Sequence, residues 1–165
     1  MLRSYYRCIL FCSKIACYSN KGGVGKTASS VNVAYGLAKA GQRVLLCDLD
    51  PQGASGFYFR VKPSKKLTDD RFFTDVKRFT SAIRGSDFDN LDILPANMTF
   101  RDFDVFLSRM KNSRSRLKKA LKSVDSDYDV VLLDCPPTPT PHTSVATTGS
   151  IVTLVLAGTT IRPSD

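Results

Sequence analysis

The sequence predicts an α/β fold, a mostly parallel β-sheet flanked by helices in three layers (α/β/α). Three observations lead there. A glycine-rich loop, Asn20–Thr27, separates a short apolar run from a helical pattern. Two later runs, Arg43–Asp48 and Tyr128–Asp134, each carry four consecutive apolar residues, Val44–Cys47 and Val130–Leu133, before a terminal aspartate, as strands covered on both faces do. Strand, loop, helix and strand in that order form a βαβ unit, which implies a right-handed crossover between parallel strands.

The loop reads Asn20-Lys21-Gly22-Gly23-Val24-Gly25-Lys26-Thr27. Three glycines in four positions let the backbone turn tightly, because glycine reaches positive φ without a Cβ penalty. Successive N–H groups can then converge into a nest for an anionic phosphate. The helix that follows adds its positive end to the same point. Lys26 supplies a point charge for the outer phosphates, and the Thr27 hydroxyl suits a Mg²⁺ ligand. Together these residues imply a nucleoside triphosphate site. The ordinary phosphate-loop pattern requires a further glycine where Asn20 stands, and here a second lysine, Lys21, opens the loop instead.

The remaining elements follow in order. Met1–Ser13 holds only a short apolar run, Cys8–Cys12, too short for a signal-peptide core. It is expected to be an N-terminal extension of a domain over 14–165. Val31, Ala34, Leu37 and Ala38 fall on one stripe of a helix over Lys26–Ala40, and Gly41 suits its stop. The second strand runs into Asp48-Leu49-Asp50-Pro51-Gln52-Gly53. Ligands of open α/β sheets bind at the carboxyl ends of strands, so both carboxylates should arrive beside the loop. A polar turn is the plainer reading of the same residues. Phe57-Tyr58-Phe59 is expected in the core rather than on an exposed aromatic face. Pro63–Lys66 reads as a basic surface loop, and Val76, Phe79 and Ile83 as a short amphipathic helix ending at Gly85. Leu91–Pro95 reads as a third strand.

A second long helix is expected from Phe103 to Val124. Its polar face carries Arg109, Lys111, Arg114, Arg116, Lys118, Lys119 and Lys122, with no acid among them. Such a face is either solvated or a contact patch for a phosphate backbone. Tyr128–Asp134 has the form of a Walker B strand, whose terminal carboxylate holds Mg²⁺ directly or through water. Pro136, Pro137, Pro139 and Pro141 argue against a regular helix beyond it. His142, the only histidine, stands without grouped carboxylates or cysteines and reads as a loop residue. Ile151–Ala157 can supply another strand.

The chain has 165 residues, enough for one domain with a substantial core, and a net charge of +9 that favours polyanionic partners. Its five cysteines, Cys8, Cys12, Cys17, Cys47 and Cys135, form no C-x-x-C pair. Cys17, Cys47 and Cys135 lie in or beside strand-like runs, as reduced buried thiols of a cytosolic protein do. No apolar run reaches the ~18–20 residues of a transmembrane segment.

Lys21-Gly-Gly-x-Gly-Lys-Thr, the Asp48–Gly53 segment, the Asp134 strand and Cys135-Pro136-Pro137 together resemble the ParA/MinD family of deviant Walker A ATPases, on its partition (ParA/Soj-like) side. The resemblance covers about Lys14–Pro137 and implies a P-loop NTPase fold, ATP and Mg²⁺ as cofactors, and a homodimer closing over nucleotide. It implies that Lys21, Gly22, Gly23, Val24, Gly25, Lys26, Thr27 and Ala28 line the nucleotide. Lys26 would hold the outer phosphates, and Lys21 would reach the partner subunit's nucleotide. Asp50 would position the attacking water. Thr27, Asp48 and Asp134 would serve the metal, Asp48 through its water shell. Non-specific DNA, a ParB-like activating partner and a cytoplasmic or nucleoid location are implied in the same way. Beyond Pro137 the resemblance stops, and the family's adenine-recognising residues fall in that missing part. A truncated, non-catalytic nucleotide-binding protein of this fold is therefore the alternative. An iron–sulfur relative is disfavoured, since only Cys135 stands beside the site.

Overall fold

The structure is a computed structural model and describes residues 12–19, 21–50, 52–62, 76–96, 113–137 and 151–155. Expectations for residues 1–11, Asn20, Pro51, the 63–66 loop, residues 103–112 of the long helix, and 138–150 with His142 lie outside the described residues.

Among the described residues, ten elements follow one another: β1 (Ser13–Tyr18), α1 (Lys26–Lys39), β2 (Val44–Asp48), α2 (Ala54–Tyr58), α3 (Val76–Ala82), β3 (Arg84–Gly85), β4 (Leu91–Leu94), α4 (Ser113–Lys122), β5 (Val130–Asp134) and β6 (Ile151–Val155). They build one sheet in the order β3-β4-β2-β5-β1-β6. All neighbours are parallel except β3, which pairs antiparallel with β4. β5 is inserted between β1 and β2, so α1 carries the chain across a strand it has not yet made. Register places Asp134 beside Cys17 on one side and beside Asp48 on the other.

Alternation along the strands divides the core in two. Leu45, Cys47, Val131 and Leu133 face Phe79 and Ala82 of α3 and Leu117, Ala120 and Leu121 of α4. Val44, Leu46, Val130 and Leu132 face Ala34 and Ala38 of α1. Helices cover both faces, which is why β2 and β5 read as unbroken apolar runs. The three layers expected from the sequence are present.

Local chemistry fixes the element ends. Gly41, at φ 89°, closes α1: its N–H donates to Ala38 O and the Gln42 N–H to Leu37 O. This is the paired C-terminal bonding that a left-handed residue permits. The same bonding closes α2, where the Val61 N–H reaches Gly56 O and the Arg60 N–H reaches Phe57 O. Arg60 takes the left-handed position at φ 55°, which costs a non-glycine residue about 1 kcal/mol or more. At the amino end of the sheet, Arg43 forks onto Asp129 at 2.8 Å, and Lys14 meets Asp125 at 2.6 Å. The first pair is half exposed and so contributes little to stability.

Three expectations need correction. The aromatic run is split: Phe59 is buried, whereas Phe57 is 84% exposed and Tyr58 58%. A helix of five residues turns consecutive side chains through ~100° each, so only one of the three can face the core. The edge strand β3 follows α3 where only a helix stop was expected. The strand expected from Tyr128 begins at Val130; the last strand is described over Ile151–Val155, and residues 156–157 of that expectation lie outside the described residues.

Phe79 is wholly buried between α3 and the sheet. Phe79→Ala should cost about 3–5 kcal/mol, read as a lower urea midpoint with an unchanged slope.

Candidate functional site

β1 ends at Tyr18, and the buried Ser19 turns the chain into the glycine loop, its Oγ accepting the Lys21 N–H at 3.2 Å. Gly23 and Gly25 have φ of 73° and 87°, and Gly25 caps α1. A Cβ built on Gly22, Gly23 or Gly25 meets no atom within 4 Å. Backbone conformation, and not crowding by the chain, is what requires glycine at 23 and 25. Over the open loop, a phosphate can approach the main chain directly.

Lys26 begins α1 and is only 7% exposed, with its ammonium donating to Lys21 O at 3.3 Å. The helix thus carries a cation into the loop rather than out to solvent. Lys21 and Ala28 are exposed, and Val24 and Thr27 are half-buried. One turn on, Ser30 is fully buried and donates toward both Lys26 O at 3.0 Å and Asp134 Oδ1 at 3.2 Å.

Two buried carboxylates stand side by side at the ends of β2 and β5. Asp48 is enclosed by its own turn: Oδ1 accepts the Asp50 N–H, and Oδ2 accepts the Ser55 N–H at 3.1 Å and hydroxyl at 2.5 Å. Burial nevertheless pushes its pKa up to about 7, with the Ser55 bond opposing and Asp134 adding to the rise. Asp134 is also raised by burial, opposed by the Thr27 and Ser30 hydroxyls and by Lys26. Its Oδ2 is buried with no hydrogen-bond partner. Asp50 sits half-buried on the same turn, its Oδ1 accepting the Gln52 N–H at 2.9 Å.

The structure therefore brings Lys26, Thr27, Asp48 and Asp134 together and puts Asp50 on the same turn as Asp48. Lys21 stands at the exposed mouth of the loop. Among the described residues, no group of three or more His, Cys, Asp or Glu is arranged to hold a metal. A hard cation here would take the unpartnered Asp134 Oδ2 and the Thr27 hydroxyl, with phosphate oxygens and water completing its shell. The residues fit Mg²⁺ in that shared form. Burial raises the thiols of Cys17, Cys47 and Cys135, the last to about 12, so they stay protonated.

Sequence reasoning missed Ser19, Ser30 and Ser55. For Ser30 a signal was present: it continues the buried stripe of Ala34 and Ala38, a polar residue on an apolar face.

A family model described as an AAA domain matches residues 12–159. The sporulation initiation inhibitor protein Soj of Bacillus subtilis is 38% identical over 74% of this chain and 49% of its own length. The chromosome partitioning protein ParA of Myxococcus xanthus is 34% identical over 75% of this chain and 44% of its own. The chain belongs to the ParA/MinD family of deviant Walker A ATPases. It spans about half the length of these ParA-type relatives. Among solved structures, a cobyrinic acid a,c-diamide synthase from Mycobacterium smegmatis, with bound ATP analogue and magnesium, superposes with TM-score 0.74. It is 31% identical, over 88% of this chain and 60% of that one. A putative plasmid partition protein from Borrelia burgdorferi bound to AMPPNP gives 0.68 at 27% identity, over 88% and 62%. Both superpose on the α/β fold described above.

The raised carboxyl of Asp48 sets a pH dependence. Folded, it keeps a proton that the unfolded chain, at the ordinary 3.8, has released. Between 3.8 and about 7 the folded state binds more protons, so stability falls as pH rises through that window. The slope is at most ~1.4 kcal/mol per pH unit. Asp48→Asn should flatten it in urea unfolding of the nucleotide-free chain, and an equally steep slope would locate the proton elsewhere.

Proposed function

We propose that this chain binds Mg–ATP, closes on a second copy of itself, and hydrolyses the nucleotide as a ParA-type partition switch. The observation that carries the reading is the pairing of a buried lysine with a buried, unpartnered carboxylate oxygen, Lys26 and Asp134 Oδ2, beneath an open glycine loop. In a site not meant for ligand, an orphaned carboxylate oxygen is a net cost.

Phosphoryl transfer needs positioning and charge neutralisation more than covalent chemistry. The loop N–H groups from Gly22 to Gly25 hold the phosphates, and Lys26 swings from Lys21 O to the outer ones. Mg²⁺, when bound, neutralises charge on the phosphate oxygens. Thr27 and Asp134 would hold the ion, and Asp48 would support its water shell while keeping the following turn in place. Asp50, tethered through Gln52, orients the attacking water without needing to be a strong base. Lys21, exposed at the mouth of the loop, would reach a nucleotide held by a second copy and stabilise the leaving group. ATP-dependent pairing would then govern association with DNA and with a ParB-like activator. Lys118, Lys119 and Lys122 support the DNA contact, being exposed on α4 opposite its buried Leu117, Ala120 and Leu121. No helix among the described residues is long and apolar enough to cross a membrane.

The direct test is ATP hydrolysis by the full chain with Mg²⁺ and DNA. Lys26→Ala should abolish nucleotide binding. Asp50→Ala and Lys21→Ala should keep binding and reduce turnover by about 10²-fold or more. Binding without turnover in the parent chain would leave the binding-only alternative standing, and absence of binding would sink both. Separately, Lys118→Glu, Lys119→Glu and Lys122→Glu together should weaken binding to random-sequence duplex DNA and flatten its salt dependence. An unchanged slope would make that face merely solvated.

A further inference from the structure

The Ser30 hydroxyl has more acceptors around it than protons to give. It lies 3.0 Å from Lys26 O and 3.2 Å from Asp134 Oδ1, and it also faces the Cys17 thiol. A hydroxyl carries one proton. Lys26 O already belongs to the hydrogen-bond ladder of α1, and a thiol is a weak acceptor. An ionised carboxylate forms the stronger bond and has the greater need of it in a dry site. The proton therefore goes to Asp134 Oδ1.

That choice fixes the carboxylate plane. With Oδ1 engaged from α1, Oδ2 is the oxygen left buried and unpartnered. We propose that Ser30 is the positioning residue of the Mg²⁺ site, holding Asp134 Oδ1 so that Oδ2 is presented to the ion or its bound water. The inference rests on the Mg–ATP reading above. Thr27 also approaches Asp134 but is the hydroxyl the ion itself would engage, which leaves Ser30 as the donor free to stay on the carboxylate. Partners that orient a ligating carboxylate commonly matter almost as much as the ligand.

Packing alone does not ask for serine here. Ser30 is followed on its buried stripe by Ala34 and Ala38, and alanine is the better helix former. Burying a hydroxyl costs free energy unless it is bonded. A residue with only a filling role would be alanine, as its two successors are.

The test uses the full chain, a fluorescent N-methylanthraniloyl ATP and MgCl₂. Nucleotide affinity is measured in EDTA, and the Mg²⁺ concentration that half-completes the metal-dependent signal is measured for parent, Ser30→Ala, Ser30→Cys and the control Ser29→Ala. Ser30→Ala should raise the Mg²⁺ midpoint by about tenfold or more while affinity in EDTA stays within twofold of the parent. Ser30→Cys, a near-isosteric weak donor, should fall between the two and gives the reading if the alanine variant folds poorly. Ser29→Ala should match the parent. An unchanged Mg²⁺ midpoint in Ser30→Ala, with parent binding intact, overturns the positioning role and leaves the Mg–ATP reading standing. A lowered thermal midpoint without a shift in the Mg²⁺ midpoint makes Ser30 structural and overturns the role as well. Failure of the parent to bind nucleotide overturns the functional reading, and this inference with it.

Discussion

Two carboxylates buried side by side at the ends of adjacent parallel strands are the constraint on which this structure turns. Asp48 and Asp134 are register partners in β2 and β5, and both are removed from water. Burial alone would drive them to neutrality. The chain answers with donors drawn from elements that otherwise would not meet. Asp48 takes the backbone and hydroxyl of Ser55 and so fastens the start of α2 to the end of β2. Asp134 takes the hydroxyl of Ser30 and so ties α1 to β5 across the sheet. The unequal result, one carboxylate fully satisfied and the other half satisfied, separates a group that shapes the site from one that can accept a ligand.

The insertion of β5 between β1 and β2 makes this possible. Had β2 paired directly with β1, Asp134 would not lie between the glycine loop and the Asp48–Gly53 turn. Because both helical layers cover the sheet, β2 and β5 are apolar until their last residue, and the aspartates emerge together at one end. Fold and site are two consequences of one strand order.

The parts legible in the sequence were those in which one residue type admits one physical explanation. Gly23 and Gly25 adopt positive φ, Gly41 closes α1, and the unbroken runs ending in Asp48 and Asp134 are central strands. Ser19 and Ser55 were not legible. A serine is equally at home in a turn, on a surface or in a buried bond, and Ser55 meets Asp48 only because α2 folds back over the strand end. β3 escaped because Arg84-Gly85 has neither apolar alternation nor length. Phe57 and Phe59 escaped because type alone does not say which side of a short helix faces inward.

The two-residue edge strand has a consequence for how the molecule behaves in a crowd. A sheet of parallel, apolar strands is a template that other chains can extend, and its danger lies at its rims. Among the described residues, the template on the β4 side ends in Arg84 and Gly85, a charged side chain and a residue that disfavours extended structure. The rung that a foreign strand would copy there is too short to hold it. Among the described residues, the backbone along that rim offers little purchase for polymerisation.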